Sequence, residues 1–359
     1  MKIAAVSFAV WLLSATLAAC ATVSAPLGGA AATLMVSDDT FTTADGLKLP
    51  VRAWLPDGAP RAVVVAVHGF NDYSKSWGKV PDAPGVGPTL AAQGVAVFAY
   101  DQRGFGAAPY HGLWPGGDVM ADNFTAAVRA VRARYPGVPI YGLGESMGGA
   151  VIMTAMASAT PPPLDGAILS SPAVWGRKTM PMLYRVALWV GARILPGWRP
   201  TGQSLGRLAS DNLEMLRDNG RDPLFIKQTR IDAVYGLVNL MDRALEVAGS
   251  LRGRVLYLSG RNDQIIPPTA SAQAMKSLLA ADAQARAAFY DTGWHMMTRD
   301  LRGATVIGDI ASFILAPAAP LPSGAEADAL ARLEARATEK WVQPMAIVDK
   351  KASPAGAAP

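Results

Sequence analysis

The chain has 359 residues, 51% of them hydrophobic, with a formal net charge of +5, 35 glycines and 27 prolines. This is the composition of a globular protein with material for a large core, and with no dense Lys/Arg run or basic amphipathic helix it argues against a nucleic-acid partner. A single cysteine forbids an internal disulfide, and three histidines (His68, His111, His295) without metal-ligand spacing argue against a protein-held metal.

The first twenty residues, MKIAAVSFAVWLLSATLAAC, carry a positive start at Lys2 and an apolar run too short and too Ser/Thr-interrupted to span a bilayer. The run ends in Leu17-Ala18-Ala19-Cys20, which resembles the bacterial lipoprotein signal. That resemblance implies acylation of Cys20 as the mature N-terminus, a multi-chain membrane anchor and a place in the bacterial cell envelope. Ala21 stands where an Asp marks inner-membrane retention, so the outer membrane or the periplasmic face is expected. Ordinary cleavage around Ala19-Cys20-Ala21 would instead leave a soluble secreted protein. Residues 21–40 are small and read as a flexible tether.

FTTADGLKLPVRAWLPDG then alternates around Asp45-Gly46, as a hairpin does. RAVVVAVHG, GVAVFAYDQRG, VPIYGLG, LDGAILSSP, RVLYLSG and ARAAFYDTG are short apolar runs ending in turns, the pattern of strands buried on both faces. Helical text lies between several of them, most clearly GDVMADNFTAAVRAVRARYP, which Pro136 stops. The class is therefore α/β, a mostly parallel central sheet flanked by helices, over residues 41–174 and 250–316. Residues 175–249 break the rhythm with Met- and Trp-rich helical text and read as a helical cap over the C-terminal strand ends. Residues 317–359 read as a Pro/Ala-rich appendage with one solvated amphipathic helix, outside the core.

Gly142-Leu143-Gly144-Glu145-Ser146-Met147-Gly148-Gly149 joins a strand to a helix and admits two chemistries. A dinucleotide site needs an acid at the C-terminal end of the next strand, whereas Asp165 stands at its N-terminal end. A nucleophile elbow needs small residues two positions either side of the serine, as in Gly144-x-Ser146-x-Gly148, followed by acid and histidine in that order. His295 is the only histidine downstream of Ser146, and Asp263 follows the preceding apolar run. Ser146, Asp263 and His295 thus form a candidate nucleophile, acid and base for acyl transfer, chemistry that needs no metal or organic cofactor. The candidate oxyanion donors are the backbone N–H groups of Met147 and of Phe70, in the loop that His68-Gly69 opens.

VHGFNDYSKSW, AYDQRGFGAAP, YGLGESMGGA, LSGRNDQIIPP and GWHMMTRD occur in order and resemble the loops of the α/β-hydrolase serine hydrolases that include monoacylglycerol lipases and lysophospholipases. The resemblance covers about residues 41 to 316, is specific at the loops and weak in the cap; RGFGAAP lacks the Ser that many members carry after the second glycine. It implies the α/β-hydrolase fold and cleavage of carboxylic esters, with monoacylglycerol or lysophospholipid as the lipid substrate. A cofactor-free haloperoxidase or carbon–carbon hydrolase uses the same triad, and a non-catalytic lipid-binding lipoprotein is the alternative of a different class. No obligatory protein partner is evident; the expected partners are the ester and, through the acyl anchor, a membrane.

Several neighbours carry blander expectations. His68 shapes the oxyanion loop, and Asp101 and Arg103 brace their turn as an ion pair or backbone cap. His111 is a loop histidine. Asp291 and Asp300 compete with Asp263 as the acid, Asp300 reading better as a helix cap or surface charge. In the cap, Trp175, Met180, Met182, Trp189 and Trp198 are candidate walls of an acyl pocket, each with cap–core packing as the alternative.

Overall fold

The computed structural model describes residues 24–27, 35–199 and 207–339. Cys20, half of the tether (residues 21–23 and 28–34) and residues 340–359 lie outside these. Strands β1 (Met35–Val36), β2 (Thr40–Thr42) and β3 (Lys48–Trp54) run antiparallel, with the turn at Asp45-Gly46 between the last two. Then follow β4 (Ala62–Val67), helix α1 (Val86–Ala91), β5 (Val95–Tyr100), α2 (Gly117–Arg134), β6 (Ile140–Glu145), α3 (Met147–Met156) and β7 (Gly166–Ser170). The insertion contributes α4 (Met182–Ile194), α5 (Leu213–Arg221) and α6 (Ile231–Val247). The chain then completes β8 (Val255–Gly260), α7 (Pro268–Ala281), β9 (Arg286–Tyr290), α8 (Gly303–Leu315) and α9 (Ala329–Thr338).

The nine strands order as β1-β2-β3-β5-β4-β6-β7-β8-β9, parallel from β5 onward across the sheet. Every residue of β4, β5, β6, β7 and β8 is buried, which is why these strands read as unbroken apolar runs. Successive side chains alternate between two layers: Val63, Val65 and Val67 meet α2, α3, α6 and α7, while Ala62, Val64 and Ala66 meet α1 and α8. Because β4 lies between β5 and β6, chain order reverses there. The C-terminal strand ends open a crevice at that switch point.

Two segments depart from the sequence reading. Helix α6 was expected in the cap, yet Val238, Met241, Ala244 and Leu245 pack into the core beside α3. Amphipathic spacing identifies an apolar face but not what it meets. Residues 317–339 are no appendage: they cover the free edge of β9. Ala325 O accepts the Phe289 N–H at 2.9 Å, and Arg286 forks onto Glu326 at 2.7 and 2.8 Å. Ala329 and Leu333 of α9, one turn apart, are buried in the core layer beside α7. An edge strand presents unpaired backbone groups, and this segment satisfies and shields them.

Candidate active site

The strand-to-helix turn from β6 to α3 carries Ser146 at φ 53° and ψ −115°, a backbone region that side-chain-bearing residues rarely occupy. The neighbours show why it is held. Ser146 N–H donates to Ser170 O, and Ser146 O accepts from Ala173 N–H, both at 2.9 Å. A Cβ on Gly148 would stand 2.0 Å from Val67 O, and one on Gly144 would stand 2.5 Å from the Gly148 carbonyl. The two glycines let strand and helix close around the serine.

Asp263 follows β8 and His295 follows β9, so adjacent parallel strands deliver both to the same sheet end. Asp263 Oδ1 accepts the N–H groups of Ile265 and Ile266 at 2.7 and 2.9 Å, which leaves Oδ2 for His295 Nδ1 at 2.9 Å. That contact directs His295 Nε2 away from the acid. Burial opposes the imidazolium, but the charge and hydrogen bond of Asp263, helped by Glu145, outweigh it and hold the His295 pKa above the ordinary histidine value. Ser146 and His295 both face the same cavity. No hydrogen bond joins them among the described residues; such contacts commonly tighten only with substrate in place.

Phe70 lines the same cavity, and Met147 is the first residue of α3, where backbone N–H groups have no helical acceptor. His68 is buried and shapes this loop. Its Nε2 accepts the Gln102 N–H at 3.0 Å, so Nδ1 carries the proton donated to Gly69 O at 2.8 Å. Burial lowers the His68 pKa, consistent with a neutral ring.

Other sequence expectations sort by contact. Asp101 and Arg103 do not pair with each other: Asp101 caps the N–H groups of Ser74 and Ala107 at 2.9 and 2.8 Å, and Arg103 Nη2 donates to the two Asp45 carboxylate oxygens at 2.7 and 2.6 Å. His111 is exposed and bonded to Gly106 O. Asp165 pairs with Arg132 at the far end of the sheet. Asp291 is exposed and pairs with Arg332. Asp300 is buried, not a surface charge.

The cavity above Ser146 encloses about 550 Å³. Of the five cap residues singled out from sequence, Trp175 and Met180 line it; Met182, Trp189 and Trp198 do not. Met182 and Trp189 lie seven positions apart on α4, away from the Tyr184 and Leu188 positions that line the cavity, and Trp198 lies beyond the end of that helix; all three are exposed. The rest of the apolar wall comes from residues that sequence reading missed, chiefly Leu237, Val238 and Met241 of α6.

A buried charge cluster was missed as well. Arg299 Nη1 meets Asp72 at 2.8 Å and Nη2 meets Glu145, with side-chain exposures of 2%, 4% and 4%. Burial works against the guanidinium, but the two carboxylates more than offset it and raise its pKa further. One arginine thus ties the His295 loop to the residue before Ser146 and to the oxyanion loop. The available signal was a Glu, an Asp and an Arg, each within four residues of a candidate site residue.

The model of the family described as serine aminopeptidase, S33, matches residues 58–302. The monoglyceride lipase of Rattus norvegicus is 27% identical over 278 residues, 74% of this chain and 85% of that protein. The monoacylglycerol lipase of Mycolicibacterium smegmatis is 25% identical over 289 residues, 78% of this chain and 97% of that protein. Among solved structures, the Paleococcus ferrophilus monoacylglycerol lipase superposes with a TM-score of 0.60 at 21% identity, covering 74% of this chain and 98% of that one.

Proposed function

The chain belongs to the serine aminopeptidase S33 family of α/β-hydrolases, and from that premise we propose that it hydrolyses carboxylic esters, with monoacylglycerol as the substrate class. The observation that carries this reading is the strained Ser146, with the Asp263–His295 pair, opening into an apolar cavity. A peptide N-terminus would need a free carboxylate to receive its ammonium group. The two carboxylates in the wall, Asp72 and Glu145, are both engaged by Arg299. Trp175, Met180, Leu188 and Met241 instead offer an acyl chain apolar surface, and the remaining charged side chain in the lining, Arg207, is a cation that would not receive an ammonium group.

In this mechanism His295 Nε2 removes the Ser146 Oγ proton as Oγ attacks the ester carbonyl. The N–H groups of Phe70 and Met147 receive the oxyanion of the tetrahedral intermediate. On collapse His295 returns the proton to the departing glycerol oxygen, leaving acyl-Ser146. A water, deprotonated by His295, attacks that ester, and a second collapse frees the fatty acid and the serine. Asp263 keeps the imidazole in the required tautomer throughout.

The membrane reading has separate support. Ala25 is buried against the core, its N–H donating to Trp114 O at 3.2 Å, and Arg103 Nη1 donates to Pro26 O at 2.7 Å. Ser24 shares a cleft with Ala192 and Arg193 of α4, whose outer face leaves Leu183, Trp189 and Ile194 exposed. An acylated Cys20 would be four residues from Ser24, within roughly 14 Å along an extended chain. Anchor and apolar cap face would then lie on one side, with the chain held at the envelope membrane.

The test is an activity panel of monoacylglycerols, lysophospholipids, short soluble esters and aminoacyl amides, run with the full chain in detergent. Turnover of long-chain monoacylglycerol well above the amides is the expected result. Amide cleavage without ester cleavage overturns the reading.

A further inference from the structure

The cap returns to the core through residues 208–212, immediately after Arg207; Arg207 and Ala209 both stand in the cavity wall. This short leg is bound to the loops of both the acid and the base. Leu208 N–H donates to Oε1 of Gln264, the residue after Asp263, at 2.9 Å. Met296 N–H, just past His295, donates to Ala209 O at 2.9 Å. On the other side of His295, the Trp294 N–H donates to Asp300 Oδ2 at 2.8 Å, while Asp300 Oδ1 accepts the Ser210 hydroxyl at 2.6 Å. Asn212 Nδ2 donates to Arg299 O at 3.0 Å and to Pro81 O at 2.6 Å.

Ser210, Asn212 and Asp300 are all at least 98% buried. Burial, opposed by the hydrogen bonds from Ser210 and Trp294, pushes the Asp300 carboxyl up to about 7. A buried carboxyl is a costly way to receive one loop N–H. Its geometry is that of a bridge, with one oxygen on the His295 loop and the other on the cap.

We propose that Ser210 and Asp300 are positioning residues for the hydrolytic reaction: through Trp294 they align the His295 loop, and only while the cap's return leg is seated on the core. The inference rests on the ester-hydrolase reading above. An acyl chain packed against Ala209 and Met296 presses on the same leg, so a filled cavity favours an aligned base. Catalytic competence then depends on the seated cap as well as on the three triad residues.

The test uses the full chain in detergent. It measures the second-order rate constant for labelling of Ser146 by a fluorophosphonate, and kcat and KM for a short soluble ester and a long-chain monoacylglycerol. Asp300→Ala is expected to lower the labelling rate constant and both kcat values by about tenfold or more, with KM for the short ester little changed, since small misplacement of a catalytic group is costly. Asp300→Asn keeps an acceptor for Trp294 and a partner for Ser210, and is expected to recover to within about threefold of the parent, as only one hydrogen bond changes character. A loss of folded protein lowers the labelled amount but not the rate constant. Unchanged rate constants in Asp300→Ala, or an Asn variant as slow as the Ala variant, overturn the proposal. Should Asp300→Ala not fold, Ser210→Ala decides: lowered rate constants for both esters support the latch, and parental rate constants overturn it. Absence of Ser146 labelling in the parent chain would instead sink the hydrolase reading itself, so the two failures are distinguishable.

Discussion

Replacing Arg299 by Leu is the sharpest test of how the site is held together. The substitution removes the cation and leaves Asp72 and Glu145, both 4% exposed, facing each other's loops without compensation. Breaking a buried ion pair from one side costs about 3–5 kcal/mol, most of it the charge left behind. Two carboxylates are stranded here, so the upper part of that range is expected, measured as the loss of unfolding free energy in urea. The cause is separable from lost packing. Adding Asp72→Asn and Glu145→Gln to Arg299→Leu removes the stranded charge and should recover at least about half of the loss, because neutral replacements of a whole buried cluster are often tolerated. Ester turnover should stay low in both variants, since the elbow, the oxyanion loop and the His295 loop lose their common tie. An unfolding free energy within about 1 kcal/mol of the parent, the level of an exposed pair, would refute the reasoning. So would a triple variant no more stable than the single one.

Four further outcomes follow from the same geometry. Ser146→Ala is expected to abolish ester hydrolysis and fluorophosphonate labelling while leaving the circular dichroism spectrum unchanged; retained turnover of p-nitrophenyl esters would remove Ser146 from the nucleophile role. The acid limb of kcat/KM should lie above ~6.5, the unperturbed histidine value. His295 must be neutral to act, its pKa is raised, and activity is therefore lost as pH falls through that raised value. Asp263→Asn should lower kcat by about 10⁴, as the tautomer is no longer enforced, and move the remaining acid limb downward; a pH–rate profile checks both. Gly148→Ala places a methyl 2.0 Å from Val67 O, and should cost roughly 1–3 kcal/mol as an overpacking change along with most activity, read by thermal melts and ester turnover.

The α/β sheet was legible because parallel strands covered on both faces leave continuous apolar runs, as in AVVVAV and VAVFAY. Ser146, Asp263 and His295 could be picked out because the elbow demands glycines at fixed offsets and a fixed order of partners. The rest failed for identifiable reasons. Met182 and Trp189 belong to an apolar helix, but which face of α4 turns to the cavity is set by its packing, not its spacing. Helix α6 has the periodicity of a cap helix and of a core helix alike. Nothing local in the sequence pairs Arg299 with Asp72, 227 positions earlier; only the fold brings them together. The Pro/Ala-rich segment read as a solvated appendage, yet its small residues are what let α9 approach α7 closely.

That docked segment also bears on the order in which the molecule is completed. The family match ends at residue 302, but β9 keeps a bare edge until residues 317–339 arrive to cover it. His295 hangs from the C-terminal end of that same strand. During synthesis the nucleophile's strand is therefore made and sheltered long before the strand carrying the base. The elbow's backbone partners, Ser170 and Ala173, are made well before His295, so for an interval the growing chain can hold the serine turn without the candidate base. A chain shortened to the family boundary would contain His295 yet leave the edge of β9 open, ready to pair with its own copies.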